Sequence, residues 1–186
     1  FLGEYFDKSV APILTPQAVD PTHPFPYISG GSLNIGVFVK PDLGKRVAKR
    51  LETFGDEFFV RVKVPSSLPR FIPIGDDETK FVFVEDIIRS NLFKLAPGAA
   101  AEACHFFRIT RDADIDLREA EAHDMLEMME ENLKDRRFGD VSRLEISDRM
   151  PAKMIEYLSE SLTITSDDVY PVQGPLNLTD FWAIVG

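Results

Sequence analysis

Apolar residues along this 186-residue chain recur with two different periods, and the period switches where turn residues fall. Leu33, Ile35, Val37 and Val39 alternate with Asn34, Gly36 and Phe38, a period of two that predicts a half-buried strand over Ser32 to Val39. Phe58 to Val64, Phe71 to Ile74 and Lys80 to Val84 are rich in β-branched and aromatic side chains, which suit a pleated surface. The turn signals PSSLPR and GDDET separate them, so they read as successive antiparallel strands. Ala103 to Thr110, VSRLEIS (141–147) and VYPV (169–172) read as further strands.

Spacings of three and four take over elsewhere. Tyr5 to Leu14 reads as the tail of a helix stopped by Pro12 and Pro16, Glu85 to Leu95 as a helix, and Pro151 as the opening of a helix through Leu162. Asp116 with Glu119 resembles a capping box, and Ala122, Met125, Met129 and Leu133 follow on one face, predicting an amphipathic helix from Leu117 to about Lys134. The stretch Pro41 to Glu57 carries a basic cluster, Lys45, Arg46, Lys49 and Arg50, and reads as a short helix or a hairpin tip. Strands joined mostly by short turns, with helices between, imply an α+β fold: a mixed, largely antiparallel sheet covered by helices, in a single domain. A chain of this length buries about 70 % of its unfolded surface, enough for a real core.

Between Leu14 and Asn34 neither period holds. Pro16, Pro21, Pro24 and Pro26 fix φ, remove donors and push each preceding residue toward extended geometry. Phe25 and Tyr27 are thus presented from a stiff irregular ribbon, expected to be ordered and partly buried as it crosses the surface with Ile28.

Charge and cysteine narrow the function. A formal net charge of −10 argues against a nucleic-acid binder, whose affinity rests on Lys and Arg neutralising phosphates. One cysteine excludes an internal disulfide and fits a reducing cytoplasm. No apolar run approaches the roughly 20 residues of a transmembrane helix. The chain opens on Phe1, without a Met or a signal-peptide pattern, and reads as a fragment of a longer multidomain chain.

Most chemistry-bearing patterns fail at a discriminating position. Asp112, Asp114 and Asp116 open like a calcium loop, but Leu117 stands where a glycine is needed and His123 where a bidentate Glu is needed, so a turn with an N-cap is the better account. Gly30-Gly31-Ser32 leads into a strand and has no Gly-Lys-Ser/Thr companion, so it is a turn and no phosphate loop. Cys104 sits among apolar neighbours that raise a thiol pKa. Arg108, Arg111, Arg136, Arg137 and Arg143 are the arginines considered for phosphate contact, because a guanidinium fork matches phosphate oxygens; the plainer reading pairs them with Asp112, Asp140 and Glu145.

Five ordered blocks carry a resemblance: the proline ribbon, FVRVKVPSSLPRFIPI (59–74), FFRITRDADID (106–116), RRFGDVSRLEI (136–146) and VYPVQGPLNLTDFW (169–182). Together they resemble the middle, or head, domain of the long-chain polyphosphate kinases that form a phosphohistidine. Gln17, Gly30, Gly31 and the long 41–56 insertion depart from the family pattern locally. The resemblance implies a parent enzyme that reversibly transfers the terminal phosphoryl group of ATP to polyphosphate with magnesium, in the cytoplasm, with peripheral membrane association of the parent left open. It implies partnership with N-terminal and catalytic domains of the same chain and a homodimer. His23, His105 and His123 do not match the phosphohistidine motif, which lies downstream in the family, so no catalytic or metal residue is expected here and the chain alone is expected to be inactive. The alternative from another class is a non-catalytic interaction module of some other multidomain protein.

Overall fold

The computed structural model describes residues 1–19, 24–40, 57–75, 77–112 and 139–185. The predicted helix over 117–134, the 41–56 stretch, His23, His123, Arg136 and Arg137 lie outside the described residues. The chain begins with α1 (Leu2–Tyr5), which runs on through one wide turn (Phe6–Val10) and one tight turn (Ala11–Ile13) before Leu14 becomes extended ahead of Pro16. Strands β1 (Gln17–Val19), β2 (Leu33–Val39) and β3 (Phe58–Lys63) follow, then the hairpin β4 (Phe71–Ile74) and β5 (Asp77–Phe83), then helix α2 (Val84–Asn91). After β6 (His105–Arg111) and β7 (Val141–Ser147) come α3 (Ala152–Leu162), β8 (Val169–Val172) and a terminal turn, α4 (Trp182–Val185).

The main sheet has the order β1-β3-β2-β6-β7-β8. Every pairing is antiparallel except β7 with β8, which run parallel because α3 carries the chain back between them. This is the mixed, largely antiparallel α+β sheet expected. One pairing differs from the sequence reading: β3 bonds β1 and β2 and not β4, and β4 with β5 forms a separate two-stranded sheet. The intervening turn explains it, since Pro65 and Pro69 flank a bend closed by Leu68 N–H donating to the Pro65 carbonyl, which breaks the ladder after Lys63.

The sheet is covered on both faces at its centre, so every residue of β2 but the half-buried Phe38 is buried, and not alternate residues only. On one face Leu33, Ile35, Val37 and Val39 pack with Val60 and Val62 against Phe6 and Val10 of the N-terminal turns and Ile87, Ile88 and Leu92 of α2 and its extension. On the other, Phe59, Phe107, Ile109, Leu144 and Ile146 meet Met154 and Leu158, one turn apart on α3, and Ile28 of the ribbon. Phe25 is half-buried there, its ring 6.1 Å from Phe59 and 6.0 Å from Tyr157, while Tyr27 is 46 % exposed. Gly36 is required by this packing, because a Cβ would lie 2.8 Å from the Phe59 ring. Helix α3 ends on Thr163 in the left-handed region, with Ile164 N–H returning to the Ser159 carbonyl.

Candidate functional site

Successive strand residues alternate faces, and on β6 and β7 this places the charged positions on the face turned away from α3. Arg108 stands opposite Glu145 and Thr110 opposite Arg143. Both predicted arginines converge on that one carboxylate: Arg108 Nη1 donates to Glu145 Oε2 at 3.0 Å and Arg143 Nε to Oε1 at 3.0 Å. Arg143 also stacks on the Tyr170 ring of β8, 4.2 Å from its centroid. Arg111 is held apart from them. It donates to the carbonyls of Ile28 at 2.8 Å and Gly139 at 2.7 Å, and lies over the Tyr27 ring at 4.5 Å, so it pins the proline ribbon to the end of the sheet.

The Gly30-Gly31-Ser32 turn forms one wall of a cleft of about 810 Å³, with Lys63, Ser66 and Arg70 also lining it. Gly31 has φ +76, its N–H donates to the Ile109 carbonyl, and Ser32 Oγ donates to the Ser29 carbonyl at 2.7 Å. Arg70 is the most heavily bonded side chain in the described structure. Its Nη2 donates to Glu85 Oε1 at 2.6 Å and to the Leu176 carbonyl at 2.6 Å, and its Nη1 donates to the Asn177 carbonyl at 2.7 Å and Asp180 Oδ2 at 3.1 Å. The guanidinium rests against the Phe83 and Phe181 rings, whose neighbour Phe71 completes the cluster. This clasp fastens residues 176–181 to the β4–β5 hairpin and α2.

Sequence reasoning missed a further arginine. Arg61 lies on the same face of β3 as Phe59 and Lys63, opposite Gly36 on β2 and Gln17 on β1. Its side chain is buried, and its partners are neutral: Nε donates to Asn34 Oδ1 at 2.8 Å and Nη1 to Gln17 Oε1 at 2.5 Å. Asn34, itself wholly buried, is fixed by donating to the Ser32 carbonyl at 2.8 Å. Burial pulls the guanidinium pKa down, although an arginine stays charged throughout the working range. The legible signal was an arginine between Val60 and Val62 in a strand apolar enough to be central.

The remaining titratable candidates are quiet. Burial pushes the Cys104 thiol up to about 11, consistent with the sequence reading of an unreactive cysteine. Burial, with help from Arg89, lowers the His105 pKa and keeps the ring neutral near pH 7. Among the described residues no three His, Cys, Asp or Glu side chains gather to hold a metal ion, and no helix is long and apolar enough to cross a membrane.

Residues 1–184 match the family model of the polyphosphate kinase middle domain. The chain belongs to that family. It is 41 % identical over 194 aligned positions to a polyphosphate kinase of Synechocystis, covering 98 % of this chain and 25 % of the relative. It is 40 % identical to one of Mycobacterium marinum, covering all of this chain and 25 % of the relative. The crystal structure of polyphosphate kinase from Porphyromonas gingivalis has the same fold, with a TM-score of 0.68 over 96 % of this chain and 24 % of that one, at 22 % identity. The middle domain thus spans about a quarter of the length of the curated relatives it matches.

Proposed function

We propose that this middle domain is the architectural part of an enzyme that reversibly transfers the terminal phosphoryl group of ATP to polyphosphate. The observation that supports the reading most directly is the family match along residues 1–184 at about a quarter of the relatives' length, and in this reading N-terminal and catalytic domains of the same chain are its partners. The geometry agrees with a scaffold. Of the predicted arginines that are described, Arg108 and Arg143 are engaged by Glu145 and Arg111 by backbone carbonyls, and Arg70, which the sequence did not single out, is engaged by Glu85 and Asp180, so these arginines hold elements together. In this reading the middle domain sets the placement of the catalytic regions and contributes to a homodimer. Magnesium, the nucleotide and the phosphorylated histidine belong to the parent enzyme's catalytic region.

The test compares the parent protein with this chain. The parent, given γ-labelled ATP and magnesium, is expected to make polyphosphate and to sediment as a dimer, while the 186-residue chain is expected to retain no label. Acid-labile, base-stable phosphate on this chain, lost on His105→Gln, would place the chemistry in this domain and overturn the scaffold reading. A parent that makes no polyphosphate would favour the interaction-module reading.

A further inference from the structure

One cleft differs in kind from the rest of this acidic domain. It measures about 380 Å³, near the lower end of ordinary ligand pockets at roughly 300–1,000 Å³, and is lined by Thr15, Gln17, Arg61, Lys63, Ser66 and Ser67. Two cations stand on its wall, two residues apart on one face of β3, and among the described residues no acidic side chain lines it. Lys63 Nζ donates to Ser29 Oγ at 3.1 Å, and Arg61 donates only to the amide oxygens of Asn34 and Gln17. Among the described residues neither forms an ion pair, and Arg61 makes its side-chain hydrogen bonds through Nε and Nη1.

Arg61 as a residue is 5 % exposed and, among the described residues, is bonded only by neutral groups, so its charge is largely desolvated without an anion beside it, which folded proteins avoid unless something pairs it. The amides of Asn34 and Gln17 hold its plane fixed by Nε and Nη1, and Arg61 is one of the residues that line the cleft. A preorganised fork, a mobile ammonium and hydroxyls on the Ser66-Ser67 and Thr15 side together make a donor set for a small tetrahedral oxyanion. We propose that Arg61 and Lys63 form an anion pocket that takes one phosphoryl group, either free inorganic phosphate or the end of a short oligophosphate. The pocket stands apart from the arginines that the sequence singled out, and it does not rest on the phosphoryl-transfer reading.

Calorimetric titration of the 186-residue chain at constant ionic strength tests it, with inorganic phosphate, tripolyphosphate, succinate and sodium chloride as probes. Saturable one-to-one binding of phosphate or tripolyphosphate is expected, and the two arms show whether the free ion or a chain end is preferred. Lys63→Gln, at an exposed position, should weaken binding by about tenfold or more, and Arg61→Met should abolish it with the fold retained by circular dichroism. Arg143→Gln should bind like the wild type. The proposal is overturned by no saturation beyond the chloride control, by unaltered affinity in Lys63→Gln, or by succinate binding as tightly as inorganic phosphate.

Discussion

Replacing Arg70 by Met keeps most of the side-chain volume and removes the charge that closes the C-terminal clasp. In the wild type the Arg70 and Glu85 side chains are 8 % and 5 % exposed and meet at 2.6 Å, and Glu85 Oε2 already has no partner among the described residues. Without Arg70 the carboxylate is left buried and uncompensated, and the carbonyls of Leu176 and Asn177 lose their donor. Removing one partner of a buried ion pair costs about 3–5 kcal/mol, a large fraction of the 5–15 kcal/mol that holds a typical domain together. With a urea m-value of about 2 kcal/mol/M, the midpoint should fall by roughly 1.5–2.5 M. Limited proteolysis should at the same time cut within 176–181, where Arg70 supplies the attachment. The double variant Arg70→Met/Glu85→Leu, which takes both charges out, should recover most of the loss, since a buried pair replaced by apolar groups is close to neutral. A single variant within 1 kcal/mol of wild type, or a double variant as unstable as the single, would refute the assignment of Arg70 as the clasp.

Other outcomes follow from the same packing. Gly36→Ala should destabilise by about 1–3 kcal/mol in urea denaturation, because the Phe59 ring must yield to the new methyl. Phe25→Ala should cost about 2 kcal/mol, below a fully buried ring because Phe25 is half-buried, and an unchanged melting temperature would remove the ribbon from the core. The His105 pKa is depressed in the folded chain, so the unfolded state binds the proton more readily; stability is fully present above about pH 6.5 and declines as pH falls through that value. His105→Gln should flatten that slope when midpoints are compared between pH 5 and 7. Cys104, with its thiol pushed up to about 11, should react with a thiol reagent at pH 8 only on unfolding.

The sequence was most readable where one physical constraint acts alone. The edge-to-centre run VSRLEIS and the helix after Pro151 end within a residue of their predicted bounds, since period and proline decide them locally. Pairing was less readable. Nothing in Phe71–Ile74 tells which strand it joins, because that depends on the proline-flanked bend turning the chain out of the main sheet. Strand β2 alternates like a half-exposed strand, yet is buried on both faces, because Asn34 and Gly36 serve as a polar anchor for Arg61 and a seat for Phe59. For the arginines, type was legible and partner was not. Arg108 and Arg143 share Glu145 only through strand register, and Arg61 is distinguished by the absence of an acid that no linear pattern reveals.

The two borders of the main sheet set a condition on how copies of this domain can meet. β1 offers three residues and β8 four, and Pro171 within β8 has no N–H to give a neighbouring strand. Ladders of backbone bonds between molecules, the route by which open sheets grow into fibres, are thereby starved of donors at both ends. The exposed Leu178 and Trp182 near the C-terminus offer apolar side chains in place of such a ladder, so association there is left to residues that evolve one substitution at a time.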